Sequence, residues 1–392
     1  MKYVILRSDV ETKPRTRGMP RAGTSSVSPP ASPKVEVDEM KPQAAVNVSQ
    51  KKSVMAIAPV IPMKLITPVA TGAAAAPAAD GVAWGVRAVG ADTSPFNGEG
   101  IVVAVLDTGI DPAHPAFKGV KLTRKNFTSA SADDDNGHGT HCAGTIFGRD
   151  VDGTRIGIAR GVKKALIGKV LGKGGGGSDK IVQAIQWAVN NGANVISMSL
   201  GIDFPGYVKE LEDDGVPTDI ATSMALEGYR SNIMLFERLA SFIAAQNAFL
   251  QAALLVAAAG NESRMDENPE FEIAVAPPAV ADGFVSVAAL AQGPQGFLLA
   301  PFSNVGARVS GPGVDIQSAK PGGGLTSMSG TSMATPHVAG VAALWAQKLS
   351  KAGELTGKLL ADRLVGTAAT ARIKTGFAPH HVGAGMVQAP QN

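Results

Sequence analysis

The chain of 392 residues contains one cysteine, Cys142. That excludes an internal disulfide framework and any zinc site built from several thiolates. Aromatic residues make up only 5% of the sequence, whereas glycine is abundant at 46 residues. Close packing on small side chains and many tight turns therefore replace a core built around large rings. No stretch reaches the roughly 18 apolar residues needed to span a bilayer. The nearest, Phe242 to Ala259, is broken by Gln246, Asn247 and Gln251. A formal net charge of +3, with basic residues spread out except near the N-terminus, gives no argument for nucleic acid as a partner. The start, Met1 to Asp9, has too short an apolar run for a secretion signal. The expectation is thus a cytoplasmic or non-classically exported protein without a membrane span.

Four segments carry chemistry. In Ser329-Gly330-Thr331-Ser332-Met333-Ala334-Thr335-Pro336-His337-Val338, a glycine-flanked loop turns into a very apolar helix. Serine at such a junction is ordinarily a helix cap. The same position offers a free backbone N–H and a dipole favouring negative charge, which suit an attacking oxygen. The choice depends on whether a base and an orienting acid exist elsewhere. Ile101 to Gly109 is a continuous apolar run ending in Asp107, as for a parallel strand buried on both faces with its carboxylate at the carboxyl end. Asn136-Gly137-His138-Gly139-Thr140-His141-Cys142 sets His138 between two glycines at the start of a small-residue helix. Leu254 to Glu262 is another apolar run, leading into Asn261.

Taken in order, these segments resemble those of the subtilisin-like serine peptidases, or subtilases, and the resemblance runs from about Trp84 to Pro390. It implies an α/β, three-layer subtilisin-like fold with a mostly parallel central sheet flanked by helices. It also implies a serine endopeptidase with Ser332 as nucleophile, His138 as base, Asp107 as its orienting acid and Asn261 as an oxyanion donor. Gly175, Gly176 and Gly177 would line one wall of the cleft, and Ser199, Leu200 and Gly201 the other. Ala258, Ala259 and Gly260 would border a roomy, mostly apolar first pocket. Protein and peptide substrates with apolar or aromatic residues before the cut are the expectation. No cofactor is required. Structural calcium is compatible with the family, but the position where many members carry a ligating Asp is Ala116 here. An inactive, peptidase-like binding protein is the alternative. A nucleotide-binding reading of Lys173 to Asp179 lacks the G-K-[ST] ending of a phosphate loop, and a His138–His141 metal pair lacks an H-E-x-x-H glutamate and a third ligand.

Residues 1–80 differ in composition from 81–392, the expected peptidase domain. Tyr3 to Leu6 reads as a strand, Thr12 to Pro33 as a flexible Pro/Ser/Arg/Gly segment, and Val35 to Gln50 as a helix weakened by Pro42. Val54 to Pro62 reads as an edge strand and Ala73 to Ala79 as a linker. Such an α+β appendage resembles the family's pro-region, which implies an intramolecular inhibitor cut away in the linker; a tail without that role is the alternative. Trp84 is expected as a buried anchor. Residues 202–227, with Glu210, Glu212, Asp213 and Asp214, read as an insertion on the cleft rim, either a lid or exosite or a surface loop without function. Val195 to Gly201 reads as another buried strand, and Tyr229 to Ala253 has helical spacing. Asp133 to Asp135 is either a solvated run or a field favouring cationic substrates and a raised His138 pKa. Cys142 reads as a small buried side chain, His380 and His381 as surface residues, and Val382 to Val387 as the last strand.

Overall fold

In the computed structural model, residues 1–8, 33–70, 81–128, 131–247 and 251–392 are described. The expectations for residues 12–32 and for the Ala/Pro linker at 73–79 lie outside them.

The first element, β1 (Lys2–Arg7), is apolar and buried through its middle. It is the centre of a small antiparallel sheet in the order β2-β1-β3, with β2 at Lys34–Glu39 and β3 at Val54–Pro59. The helix expected over Val35 to Gln50 is therefore half strand. Val35 and Val37 alternate with charged residues and pair with β1, and only Pro42–Ser49 forms a helix, α1. Pro42 sits in its first turn, where a missing N–H leaves no bond unmade. The next strand, β4 (Pro62–Leu65), leaves this sheet altogether.

After α2 (Trp84–Ala88), the chain builds β5 (Val102–Asp107), β6 (Lys121–Asn126), α3 (His138–Phe147), β7 (Lys164–Lys169), β8 (Gly176–Gly177), α4 (Ser178–Asn190) and β9 (Val195–Met198). There follow β10 (Leu200–Ile202), α5 (Phe204–Asp213), α6 (Thr218–Asn247), β11 (Leu254–Ala258), β12 (Phe284–Gly293), β13 (Gly296–Leu299) and β14 (Val309–Pro312). Last come β15 (Ile316–Ala319), β16 (Leu325–Met328), α7 (Thr331–Lys351), α8 (Gly357–Gly366) and α9 (Pro379–Val382). The large sheet runs β13-β12-β11-β9-β5-β7-β6 with β14 beside β12, and only the β12–β13 pairing is antiparallel. Its inner strands carry almost no polar residues because helices cover both faces. Helices α3 and α7 pack on one another and on the sheet, while α4 packs on β5, β7 and α6. This is the three-layer α/β arrangement that the resemblance implies.

Four local expectations change. The apolar run at 195–201 is not one strand: it breaks at Ser199, and β10 turns away to pair with β4. Residues 202–227 hold α5, capped by the Asp203 side chain, and the first turns of α6 rather than a loop. These helices pack together through an edge-to-face Phe204–Tyr229 contact, and α6 packs on β3, where Asn232 Nδ2 donates to Pro59 O at 2.9 Å. Trp84 is half-buried rather than buried, stacked on Phe297 with its Nε1 donating to Val314 O. Val382 to Val387 forms no named strand; Met386 makes isolated bridges to Ser310 and Ala369. Among the described residues, no helix is long and apolar enough to cross a membrane.

Candidate active site

Parallel strands deliver their carboxyl ends to one edge of the sheet, and β5 delivers Asp107 there. Asp107 Oδ1 accepts from Thr108 N–H at 2.7 Å and lies 2.8 Å from His138 Nδ1. His138 opens α3 directly after Gly137, whose φ of +97° is left-handed and favours glycine. The turn is held from below by Asp134. Its carboxylate accepts from Thr108 Oγ1 (2.8 Å), Gly137 N–H (2.8 Å), Thr140 N–H (2.9 Å) and Thr140 Oγ1 (2.6 Å). Burial alone would raise the Asp134 pKa, but the bonds from Thr140, Gly137 and Thr108 outweigh it and hold the carboxyl below its ordinary range.

Asp133 to Asp135 is thus not a free acidic field, and only its ends are solvated. Asp133 pairs with Arg124, Asp134 points inward, and Asp135 Oδ1 accepts from the buried Lys169 Nζ at 2.9 Å. Lys169 also donates to Asp133 O at 2.7 Å, tying this loop to β7 beside Asp107.

His138 and Ser332 are both fully buried. Burial disfavours the His138 cation, but the charge of Asp107 and the hydrogen bond to it overcome that, and the pKa ends well above the ordinary imidazole value. Cys142, one helical turn on, lies 3.7 Å from His138 Nδ1 and 3.5 Å from Ser332 O. Burial pushes its thiol up, so it stays neutral, as expected of a small buried side chain.

Ser332 is the second residue of α7. It is joined across the site by Asn261 from the end of β11. Asn261 Oδ1 accepts from both Thr331 N–H and Thr331 Oγ1 at 2.9 Å, which aims Nδ2 outward. What meets these groups is the chain itself. Strand β4 lies antiparallel between β10 and β8, with Lys64 opposite Gly201, Leu65 opposite Leu200 and Met63 opposite Gly176. Gly177 faces Pro62, and a Cβ at Gly175 would stand 2.5 Å from Met63 O, so that wall needs glycine. Beyond β4, Ile66 N–H donates to Ser199 O at 3.4 Å, and Ser332 Oγ donates to Ile66 O at 2.9 Å. Asn261 Nδ2 donates one residue later, to Thr67 O at 3.0 Å. Among the described residues, His138 Nε2 has no hydrogen-bond partner.

The structure thus brings Asp107, His138, Ser332 and Asn261 to one place, with Gly175 to Gly177 and Ser199 to Gly201 on either side. Ala258, Ala259 and Gly260 lie one step behind. Ala259 bonds Val287 and Ala276 through its backbone, and Gly260 bonds Thr331 and Asn304, so this stretch positions Asn261. Sequence reading weighed Asp134 only as part of an acidic run and passed over Lys169, Thr331 and the strap at 62–69. Thr331, beside Ser332 in the same motif, was the one nearest to detection.

The residues around Ala116 do not fit a calcium ion. Ala116 O accepts from Arg149 N–H, and the Arg149 guanidinium donates to Phe147 O (2.9 Å) and Val162 O (2.8 Å), so a fixed cation already serves these carbonyls. Nor is His381 a plain surface residue: Nδ1 accepts from Ala378 N–H and Nε2 meets Glu272 at 2.6 Å, fixing the C-terminal turn.

Comparison with known proteins shows the family. Residues 98–385 match the model of the Subtilase family. The chain is 36% identical over 269 residues to a thermostable alkaline protease of Halalkalibacterium halodurans, covering 67% of this chain and 62% of that one. It is 33% identical over 295 residues to subtilisin DY of Bacillus licheniformis, covering 73% and 91% of the two chains. It is 35% identical over 257 residues to the major intracellular serine protease of Bacillus subtilis, covering 63% and 68%. The chain belongs to the subtilase family.

Proposed function

We propose that the protein is a serine endopeptidase that hydrolyses peptide bonds through a covalent acyl-enzyme. The single observation that carries this is the strap: an extended peptide hydrogen-bonded on both edges, with a carbonyl at Ser332 Oγ. A substrate takes the same path. His138 Nε2, free of other partners, removes the Ser332 proton as Oγ attacks the carbonyl carbon, then returns it to the leaving amine. Asp107 holds Nδ1, which leaves Nε2 as the nitrogen that takes the proton, and supports the resulting cation. The Ser332 N–H at the start of α7 and Asn261 Nδ2 stabilise the oxyanion. Water then attacks the acyl-enzyme with His138 as base.

The strap supports an apolar first pocket, since Ile66 is buried beside Ser199. Backbone pairing along the rest of the cleft gives affinity without choosing side chains, so selectivity is broad at most positions. The N-terminal region acts as an intramolecular inhibitor. Ser332 Oγ engages Ile66 O while Asn261 engages Thr67 O, so the two groups that must act on one carbonyl are divided between two. Cleavage in the following linker frees the cleft.

A fluorophosphonate probe with intact-mass analysis tests the reading. Labelling of wild type but not Ser332→Ala, with loss of the N-terminal segment in the labelled species, is expected. Equal labelling of both proteins overturns the assignment of Ser332, and labelled protein that retains Met1 overturns removal of the inhibitor.

A further inference from the structure

Lys64 is the one charged residue of β4, and it does not point into water alone. Its Nζ lies 3.4 Å from Asp203 Oδ1 and 3.9 Å from Glu262 Oε1. Both carboxylates are held in place without it. Asp203 caps α5, accepting from Gly206 N–H at 3.3 Å, and its own N–H donates to Pro62 O of the strap. Glu262, next to Asn261, uses its other oxygen to accept from Asn304 Nδ2 at 2.8 Å. Groups fixed in advance lose little freedom on meeting a ligand.

From this arrangement we infer a cation-selecting subsite, formed by Asp203 and Glu262, that favours substrates with Lys or Arg two residues before the residue in the first pocket. The inference rests on the proposed peptidase reading, in which Ile66 marks the first pocket and Lys64 the third position. One acid comes from residues 202–227 and the other from the segment after β11, so two separate stretches of chain meet at Lys64. Carboxylates at this position attract a cation, repel an acidic side chain and leave a neutral one indifferent. The three side chains are 32–40% exposed, so each pair contributes at the modest end, and screening by salt weakens it.

The test uses the full chain carrying Lys64→Glu, which repels the strap from the acid pair and opens the cleft to competitors. Quenched fluorescent peptides of sequence Met-Xaa-Leu-Ile-Ala-Gly, with Xaa as Lys, Gln or Glu, are compared by kcat/KM. Two attractive pairs replaced by two repulsive ones should favour Lys over Glu about tenfold, given typical exposed-pair strengths. Adding Asp203→Asn and Glu262→Gln, where Asn still caps α5, should bring the ratio below about threefold, as should 1 M NaCl. Equal rates for the Lys and Glu peptides, or a ratio unmoved by the double substitution, overturn the subsite. Binding of the same labelled peptides to the Lys64→Glu, Ser332→Ala chain, read by anisotropy, separates the two readings. A preserved Lys preference there without hydrolysis by the active-serine chain sinks the peptidase reading and keeps the subsite; hydrolysis without preference does the reverse.

Discussion

His141 and His337 stand on the two helices that carry the site, α3 and α7, and both are fully buried. Burial dominates each and holds the imidazole neutral, with pKa values lowered to about 3 for His141 and about 4 for His337 against an ordinary 6.5. In the unfolded chain both take up protons below pH 6.5, while in the folded one they do not. Their contribution to stability is therefore complete above pH 6.5 and is lost as the pH falls towards the folded values. From pH 8 to pH 5, linkage gives a loss of about 2 kcal/mol for each residue. His138 has the opposite sign. Its raised pKa contributes stability that is full below pH 6.5 and lost as the pH climbs through the folded value. The total profile mixes these signs, so the informative quantity is a difference. His337→Gln, whose amide can still donate to Met333 O, removes one titration. In a Ser332→Ala background, which prevents self-digestion, urea midpoints are measured with and without this substitution at pH 8 and pH 5. The stability advantage of the chain that keeps His337 over the His337→Gln chain should shrink by about 2 kcal/mol between those values. An advantage constant to within about 0.5 kcal/mol, the precision of such extrapolations, would refute the argument that a buried neutral imidazole opposes unfolding at neutral pH.

Thr331→Val removes the hydroxyl bond that aims Asn261 while leaving the backbone bond. The loss of about 1 kcal/mol of positioning should lower kcat about fivefold with KM unchanged in steady-state assays; an equal rise in KM would argue for a binding role. A mercurial on Cys142 should displace His138 and inactivate the enzyme slowly, and Cys142→Ala should resist it, since Sγ lies 3.7 Å from Nδ1. With Arg149 serving the carbonyls near Ala116, a chelator should shift Tm by no more than the order of 2 °C, while Arg149→Ala, removing two charged hydrogen bonds, should lower it by several degrees.

The core strands and the four chemical groups were legible because the physics behind them is local: unbroken apolar runs for doubly covered strands, glycines where His138 needs a left-handed entry. The rest was hidden for specific reasons. Val35 and Val37 belong to a strand only because β1 lies beside them, and nothing near them in the chain announces that partner. The break at Ser199 is invisible in an apolar run whose last residues leave the sheet for β4. Asp134 read as one member of an acidic run, solvated or field-setting, yet four of its five donors come from residues 108, 137 and 140, which meet only when β5 and α3 are in place. The 202–227 segment looked like a loop because its acidic residues mask helical spacing, and its buried contacts are Tyr207 and Leu211 alone within α5.

The covalent continuity of β4 with Ile66, Thr67 and the peptidase core has a kinetic corollary. A tethered segment sees its own cleft at an effective concentration on the order of millimolar, so a free peptide competes poorly while the link is intact. Once the backbone is severed beyond Thr67, the same contacts become bimolecular, and dilution rather than any new force empties the cleft. On the proposed inhibitor reading, activity would stay low while the link is intact and rise wherever the cut fragments drift apart.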